Sequence, residues 1–112
     1  MDSFKSIEDL NVEFEITKQQ CHELFNYLDK IRIEIQQNNK EISHKDYENM
    51  FCSIVVSARN DYSVAETWLR YLAVLDRYRD IYYYLYNNLG TKHEEFIKKY
   101  NIQPSFLNKN SD

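Results

Sequence analysis

The chain is predicted to be all-α: a small antiparallel bundle of three to five helices. Three observations predict this. First, two apolar seams step by alternating threes and fours. One is Ile7, Leu10, Phe14, Thr17, Cys21, Leu24, Leu28, Ile31 and Ile35; the other is Val64, Trp68, Tyr71, Leu75, Tyr78, Tyr82, Leu85 and Leu89. That spacing puts each set on one stripe of a helix, as in a coiled coil. Second, Gly and Pro occur once each, whereas small sheet-rich domains need many such residues for their turns. Third, Ser43-His-Lys-Asp46, Ser63-Val-Ala-Glu66 and Thr91-Lys-His-Glu94 each set a hydroxyl three residues before an acid. The hydroxyl can accept from the third backbone N–H, and the acid can reach back to the first. Glu serves this second role better than Asp, so Asp46 makes the first box the weakest.

The N-terminal third admits more than one arrangement. Residues 18 to 38 read as helix. Before them, Leu10-Asn-Val-Glu-Phe-Glu-Ile16 alternates apolar and polar in the manner of a strand, as does Ile31-Arg-Ile-Glu-Ile35. Thr17-Lys-Gln-Gln20 is a further candidate capping box. Either one helix spans about 4 to 38, or a short segment precedes a helix beginning at Thr17. A strand–helix–strand unit is the third arrangement, but its two strands alone would be marginal.

Further along, a second helix is predicted over 44 to 60, with Tyr47, Met50, Phe51, Ile54, Val55 and Ala58 on its inner face. Arg59-Asn-Asp-Tyr62 reads as a polar turn. A third helix is predicted over 64 to 88, closed by Asn87, Asn88 and a left-handed Gly90. A short fourth covers 92 to 101, with Phe96, Ile97 and Tyr100 inward, and Pro104 ends it. Residues 1 to 104 form one domain in this layout, and Ser105 to Asp112 a disordered polar tail. Trp68, Leu72, Leu75, Leu24, Leu28, Ile54 and Phe51 are assigned to the core.

Lengths then suggest partners. A helix over 4 to 38 would be about 50 Å long, against a radius of gyration of about 13 Å for a compact domain of this size. An unbroken layout therefore leaves two half-seams bare: Ile7, Leu10 and Phe14 at one end, and the region of Tyr78, Tyr82 and Leu85 at the other. Seams of that size are rarely left exposed. Either the first segment folds back at Thr17, or a second chain covers them, as in a homodimer or heteromeric subunit. The tyrosines strengthen the case for a partner. Ten of 112 residues are Tyr, and Tyr82-Tyr-Tyr84 with Tyr86 rings one helix, so these side chains cannot all face one core. Tyr is favoured at interfaces, where its ring is buried and its hydroxyl bonded. The partner-binding candidates are therefore Ile7, Leu10, Phe14, Tyr78, Tyr82, Tyr83 and Tyr86.

Chemistry is less visible. No glycine-rich phosphate loop, nucleophile elbow or zinc-protease motif occurs, so no enzymatic activity, catalytic residue or cofactor is assigned. His22, His44 and His93 fall in different elements. Cys21 and His22 are adjacent and so diverge by about 100° on a helix. Glu41-Ile-Ser-His44 crosses a cap, so no metal site is assigned. His44 and His93 sit near helix starts, which disfavours their protonated forms. Cys21 and Cys52 read as buried free thiols. Arg70, Arg77 and Arg79 near the tyrosines suggest a nucleic-acid face, but Asp76 and Asp80 interleave them and read as a solvated ion-pair surface. The net charge is −4, which also argues against nucleic acid. Glu8, Asp9, Glu13, Glu15 and Glu23 make the first segment acidic, an ordinary polar face or a dock for a basic partner. No leader pattern or membrane-length apolar run is present, so a cytoplasmic, soluble chain is expected. The function predicted from these features is a non-enzymatic protein–protein interaction module: a small adaptor, inhibitor or assembly subunit. The alternatives are a nucleic-acid-associated regulator using the Arg/Tyr face and an immunity-type helical protein that neutralises a toxin.

Overall fold

Six α-helices and one short 3-10 turn form among the described residues. A computed structural model describes residues 6–37, 41–58 and 61–102. The elements are α1 (Ile7–Glu13), α2 (Lys18–Gln37), α3 (His44–Ile54), a 3-10 turn (Val56–Ala58), α4 (Tyr62–Val74), α5 (Arg79–Tyr86) and α6 (Thr91–Lys99). There is no strand among the described residues. The turn expected at Arg59 and Asn60, Pro104 and the C-terminal tail fall outside them.

Three breaks separate this bundle from an unbroken layout: the helix expected over 44 to 60 stops at Ile54 before the 3-10 turn, and one mechanism makes the other two. The N-terminal helix stops at Glu13. Glu15 takes φ 57°, its N–H bonds the Val12 carbonyl at 3.2 Å, and the Ile16 N–H bonds the Asn11 carbonyl at 2.8 Å. This pair of bonds is a Schellman motif. Thr17 and Gln20 then form a reciprocal capping box, at 3.1 Å and 2.9 Å, that starts α2. The fold therefore takes the arrangement with a break at Thr17, in place of the single long helix.

The helix expected over 64 to 88 is broken in the same way. Asp76 adopts φ 65°, with its N–H on Ala73 and that of Arg77 on Leu72. A third such end closes α6, where Asn101 has φ 52° and the Ile102 N–H reaches Ile97. Three helices thus end on left-handed residues that are not glycine, at roughly 1–2 kcal/mol of local strain each.

Caps also differ from expectation. Ser43 and Asp46, the pair expected to be weakest, form the full reciprocal box. Ser63 is not a cap: Asp61 holds that position and accepts from the Ser63 N–H at 3.1 Å. Thr91 is likewise inside its helix, and Gly90 is the N-cap. Gly90 has φ 125° and ψ 172°, a region open essentially to glycine alone and distinct from the left-handed C-terminal role expected of it.

Burial follows from these breaks. The inner face of α2 is Cys21, Leu24, Leu28 and Ile31. That of α4 is Ala65, Trp68, Leu69, Leu72 and Ala73. Trp68, Leu24, Leu28, Phe51 and Leu72 are fully buried as expected. Leu75 is only half-buried, as is Ile54, because Leu75 falls at the C-cap of α4 where the stripe ends. The longest dimension of the molecule is 40 Å and its radius of gyration 13.7 Å. A 50 Å helix would have overhung it; the broken chain does not.

Candidate interaction grooves and the polar locks around them

The expected partner-binding residues are divided by burial. Leu10, Tyr82 and Tyr86 are fully buried and Tyr78 nearly so. Ile7, Phe14 and Tyr83 are partly buried and pack against the core. The half-seams that asked for a second chain are covered from within: α1 folds onto α4, and α5 packs beside α4 and α2. As placed, Leu10, Tyr82 and Tyr86 offer no surface to a partner.

Their polar groups close a set of internal locks. Tyr86 Oη donates to Glu48 Oε2 of α3 at 2.7 Å, and burial pushes its pKa far up. Tyr47 Oη donates to the Ala65 carbonyl at 2.7 Å. Tyr82 Oη lies 2.8 Å from His93 Nδ1, and its pKa is pushed up to about 12 by burial. His93 stacks on Tyr86 at 5.1 Å and sets Nε2 3.5 Å from Glu66 Oε2. Burial lowers the His93 pKa despite Glu66, and Arg70, Lys92 and His44 lower it further. Its expected resistance to protonation is therefore present, with burial rather than the helix end as its main cause.

A second lock joins α2 to α5. Asp80, expected on a solvated face, is buried. It accepts from Arg32 Nε at 2.8 Å and Nη2 at 2.9 Å, and from the Ile81 N–H at 2.8 Å. Tyr78, the left-handed residue before α5, donates to Asp29 at 2.8 Å beneath the Arg32 guanidinium. Sequence reasoning missed this lock because its partners lie 48 and 49 positions apart.

The arginines of the suggested nucleic-acid face also have internal partners. Arg70 pairs with Glu66 at 3.2 Å. Arg79 bonds the Ala73 carbonyl at 2.7 Å and pairs with Asp76 at 3.4 Å. Arg77 lies over the Phe25 and Tyr78 rings. Cys21 and Cys52 are free and buried. Among the described residues, no three His, Cys, Asp or Glu side chains come together as a metal cluster, and no helix is long and apolar enough to cross a membrane.

Among the described residues, one groove flanks α2 on each side. The α2–α3 groove, about 490 Å³, has Tyr27, Ile31, Ile42 and Met50 on its apolar surface, with Lys30, Glu34 and Asp46 at the rim. The α1–α2 groove is about 560 Å³. Ile7, Cys21 and Phe25 give it an apolar floor, and Asn11, Glu8, Lys18 and His22 edge it. Its position follows from local structure: the Schellman turn sends α1 back onto α4, where Asn11 Oδ1 accepts from Trp68 Nε1 at 3.0 Å. The first turns of α2 are thereby left with an open flank. Of the seven expected contact residues, only Ile7 lines either groove. No protein-family model, curated protein or solved structure matches the chain.

Proposed function

We propose that the protein is a non-enzymatic interaction module, an adaptor, inhibitor or assembly subunit that binds a protein partner through helix faces. The observation that carries this is the pair of apolar-floored grooves flanking α2, each large enough to take side chains of a docked segment. The polar groups with acid–base capacity support it from the other side. His93 is buried and bonded to Tyr82, and Asp80 is buried and bonded to Arg32. Their placement suits holding helices together. Val12, at 78% exposure, and Ile33, at 53%, add apolar area outside the core. Two free buried thiols suit a reducing compartment, so the cytoplasm is the proposed location.

The test is affinity capture with the full chain as bait, beside a variant carrying Ile31→Lys on the α2–α3 side and a variant carrying Glu8→Lys with Glu13→Lys on the α1 side. Capture of one partner, lost in a variant whose thermal melt is preserved, supports the proposal. Equal capture by all three baits, or none, counts against binding through these grooves. Because Ile31 is itself buried, Met50→Lys serves as the second α2–α3 variant should Ile31→Lys fail to fold.

A further inference from the structure

We infer that the α1–α2 groove is the docking site, and that its occupant is a basic amphipathic helix of another protein. This rests on the interaction-module proposal and adds which face binds and what chemistry it selects.

Charge is the first ground. Residues 1–24 hold six acids against two bases, a net of −4. That equals the formal charge of the whole chain, −4, so the remaining twelve acids and twelve bases cancel. The net charge of the chain is therefore carried by this N-terminal segment. Glu8, Asp9, Glu13, Glu15 and Glu23 are all exposed there. Exposed charge of one sign steers an oppositely charged partner toward it and disfavours acidic ones.

Shape is the second ground, independent of charge. The groove lies between α1, which carries Glu8, Asp9 and Glu13, and the first turns of α2; Ile7, Cys21 and Phe25 floor it, and Glu8 lines it with Lys18 and His22. Its α2 wall, 18–25, is about 11 Å long, or two helical turns. A helix laid there can seat two or three apolar side chains on the floor while its basic face meets α1. A uniformly polar basic segment would leave the floor wet, and an apolar one would ignore the field. Only an occupant with both faces uses the whole site. Val12, on α1, is the most exposed large apolar side chain among the described residues.

The groove carries its own reporter. Asn11 lines it and is bonded to Trp68, and Phe25 lies 6.1 Å from the same indole. Trp68 is the only tryptophan. A ligand that moves Asn11 or Phe25 alters its emission.

The experiment titrates the ¹⁵N-labelled full chain with a leucine–lysine amphipathic peptide of about fourteen residues, or four turns, and with its leucine–glutamate counterpart. The lysine peptide is expected to shift the amides of Ile7, Asn11, Cys21 and Phe25 and to change Trp68 emission. Its binding should weaken with added salt, and by about tenfold or more in Glu8→Lys with Glu13→Lys; both sites are exposed, and an unchanged melt confirms the fold. The glutamate peptide should not bind. Equal binding of both peptides overturns the inference, as does salt-independent binding. So do shifts confined to Ile42, Asn49 and Met50, which would move docking to the other groove and leave the interaction-module proposal standing. Concentration-dependent shifts of the same four amides without peptide overturn it in favour of a second copy of the chain. Absence of binding by either peptide overturns it too. Failure of the capture experiment with all baits is what would remove the broader proposal.

Discussion

Replacing Arg32 by Ala should be among the most damaging changes outside the apolar core. Asp80 accepts three hydrogen bonds, and Arg32 supplies two of them, at 2.8 and 2.9 Å. The substitution leaves the Ile81 N–H as the third. Each bond to a charged group is worth about 1.5–3 kcal/mol, and breaking a buried pair from one side costs about 3–5 kcal/mol. Two features pull in opposite directions. The Arg32 side chain is 33% exposed and that of Asp80 11%, so water can reach part of the vacated space. The guanidinium also covers the Tyr78 ring at 5.1 Å, and that contact goes as well. We therefore expect a loss of about 2–4 kcal/mol, a large share of the roughly 5–15 kcal/mol that holds a domain folded. Urea unfolding followed by far-ultraviolet circular dichroism measures it. The double variant Arg32→Met with Asp80→Leu removes both charges, so it should lose much less than Arg32→Ala. A loss below about 1 kcal/mol in Arg32→Ala would refute the lock, since a solvated surface pair contributes no more than that.

Three further outcomes are expected. The His93 pKa lies below its unfolded value of 6.5, so the unfolded state binds more protons as pH falls. The His93 contribution is thus fully present above about pH 6.5 and declines below it. Urea midpoints should drop between about pH 7 and pH 5, and His93→Gln should flatten that slope; an unchanged slope would mean His93 is not buried as described. Asp76→Gly should raise stability by about 0.5–1 kcal/mol by relieving the left-handed residue after α4, net of the entropy glycine costs, whereas a continuous helix over 64 to 88 would make glycine there destabilising. Leu72→Ala should cost about 2–5 kcal/mol and Leu75→Ala distinctly less, because Leu72 is fully buried and Leu75 only half-buried; the reverse order would put α4 in the wrong register.

Periodicity was a sound guide to helix faces and a poor one to helix ends. The stripe Cys21, Leu24, Leu28, Ile31 was read directly, as were Phe51 and Trp68. The sequence marks helix ends at the Arg59–Tyr62 turn, at Asn87, Asn88 and Gly90, and at Pro104, and the chain has only one glycine. Glu15, Asp76 and Asn101 do that work instead, and a Glu or Asp within a helical pattern looks like any solvated position. The result was one helix where there are two, α4 and α5. The polar locks were hidden for a different reason. Arg32 and Asp80 each look solvated among their own neighbours, and Asp80 becomes buried, with Arg32 partly so, only when α2 meets α5. The tyrosine cluster was correctly seen as too broad for one face, but the crowding is resolved inwardly: α3 supplies Glu48 to Tyr86 and α6 supplies His93 to Tyr82. The α1–α2 groove was not foreseen, because it exists only once α1 leaves the line of α2.

The two halves of the electrostatics belong together. A small bundle with many charges must neutralise those near its core, and here Asp80, Glu66 and Glu48 each have a partner from another helix or an adjacent turn. The Asp80–Arg32 and Glu66–Arg70 pairs consume charge of both signs, whereas Glu48 meets the neutral hydroxyl of Tyr86. What they leave over is the excess of acids at the N-terminal end, on exposed positions where no buried partner is needed and where substitution costs little stability. Charge that is not required for folding is free to set association. If the Glu8→Lys and Glu13→Lys variant kept both its melt and its affinity for the basic peptide, the acids would be a solubilising face and nothing more; loss of affinity alone would separate the two duties.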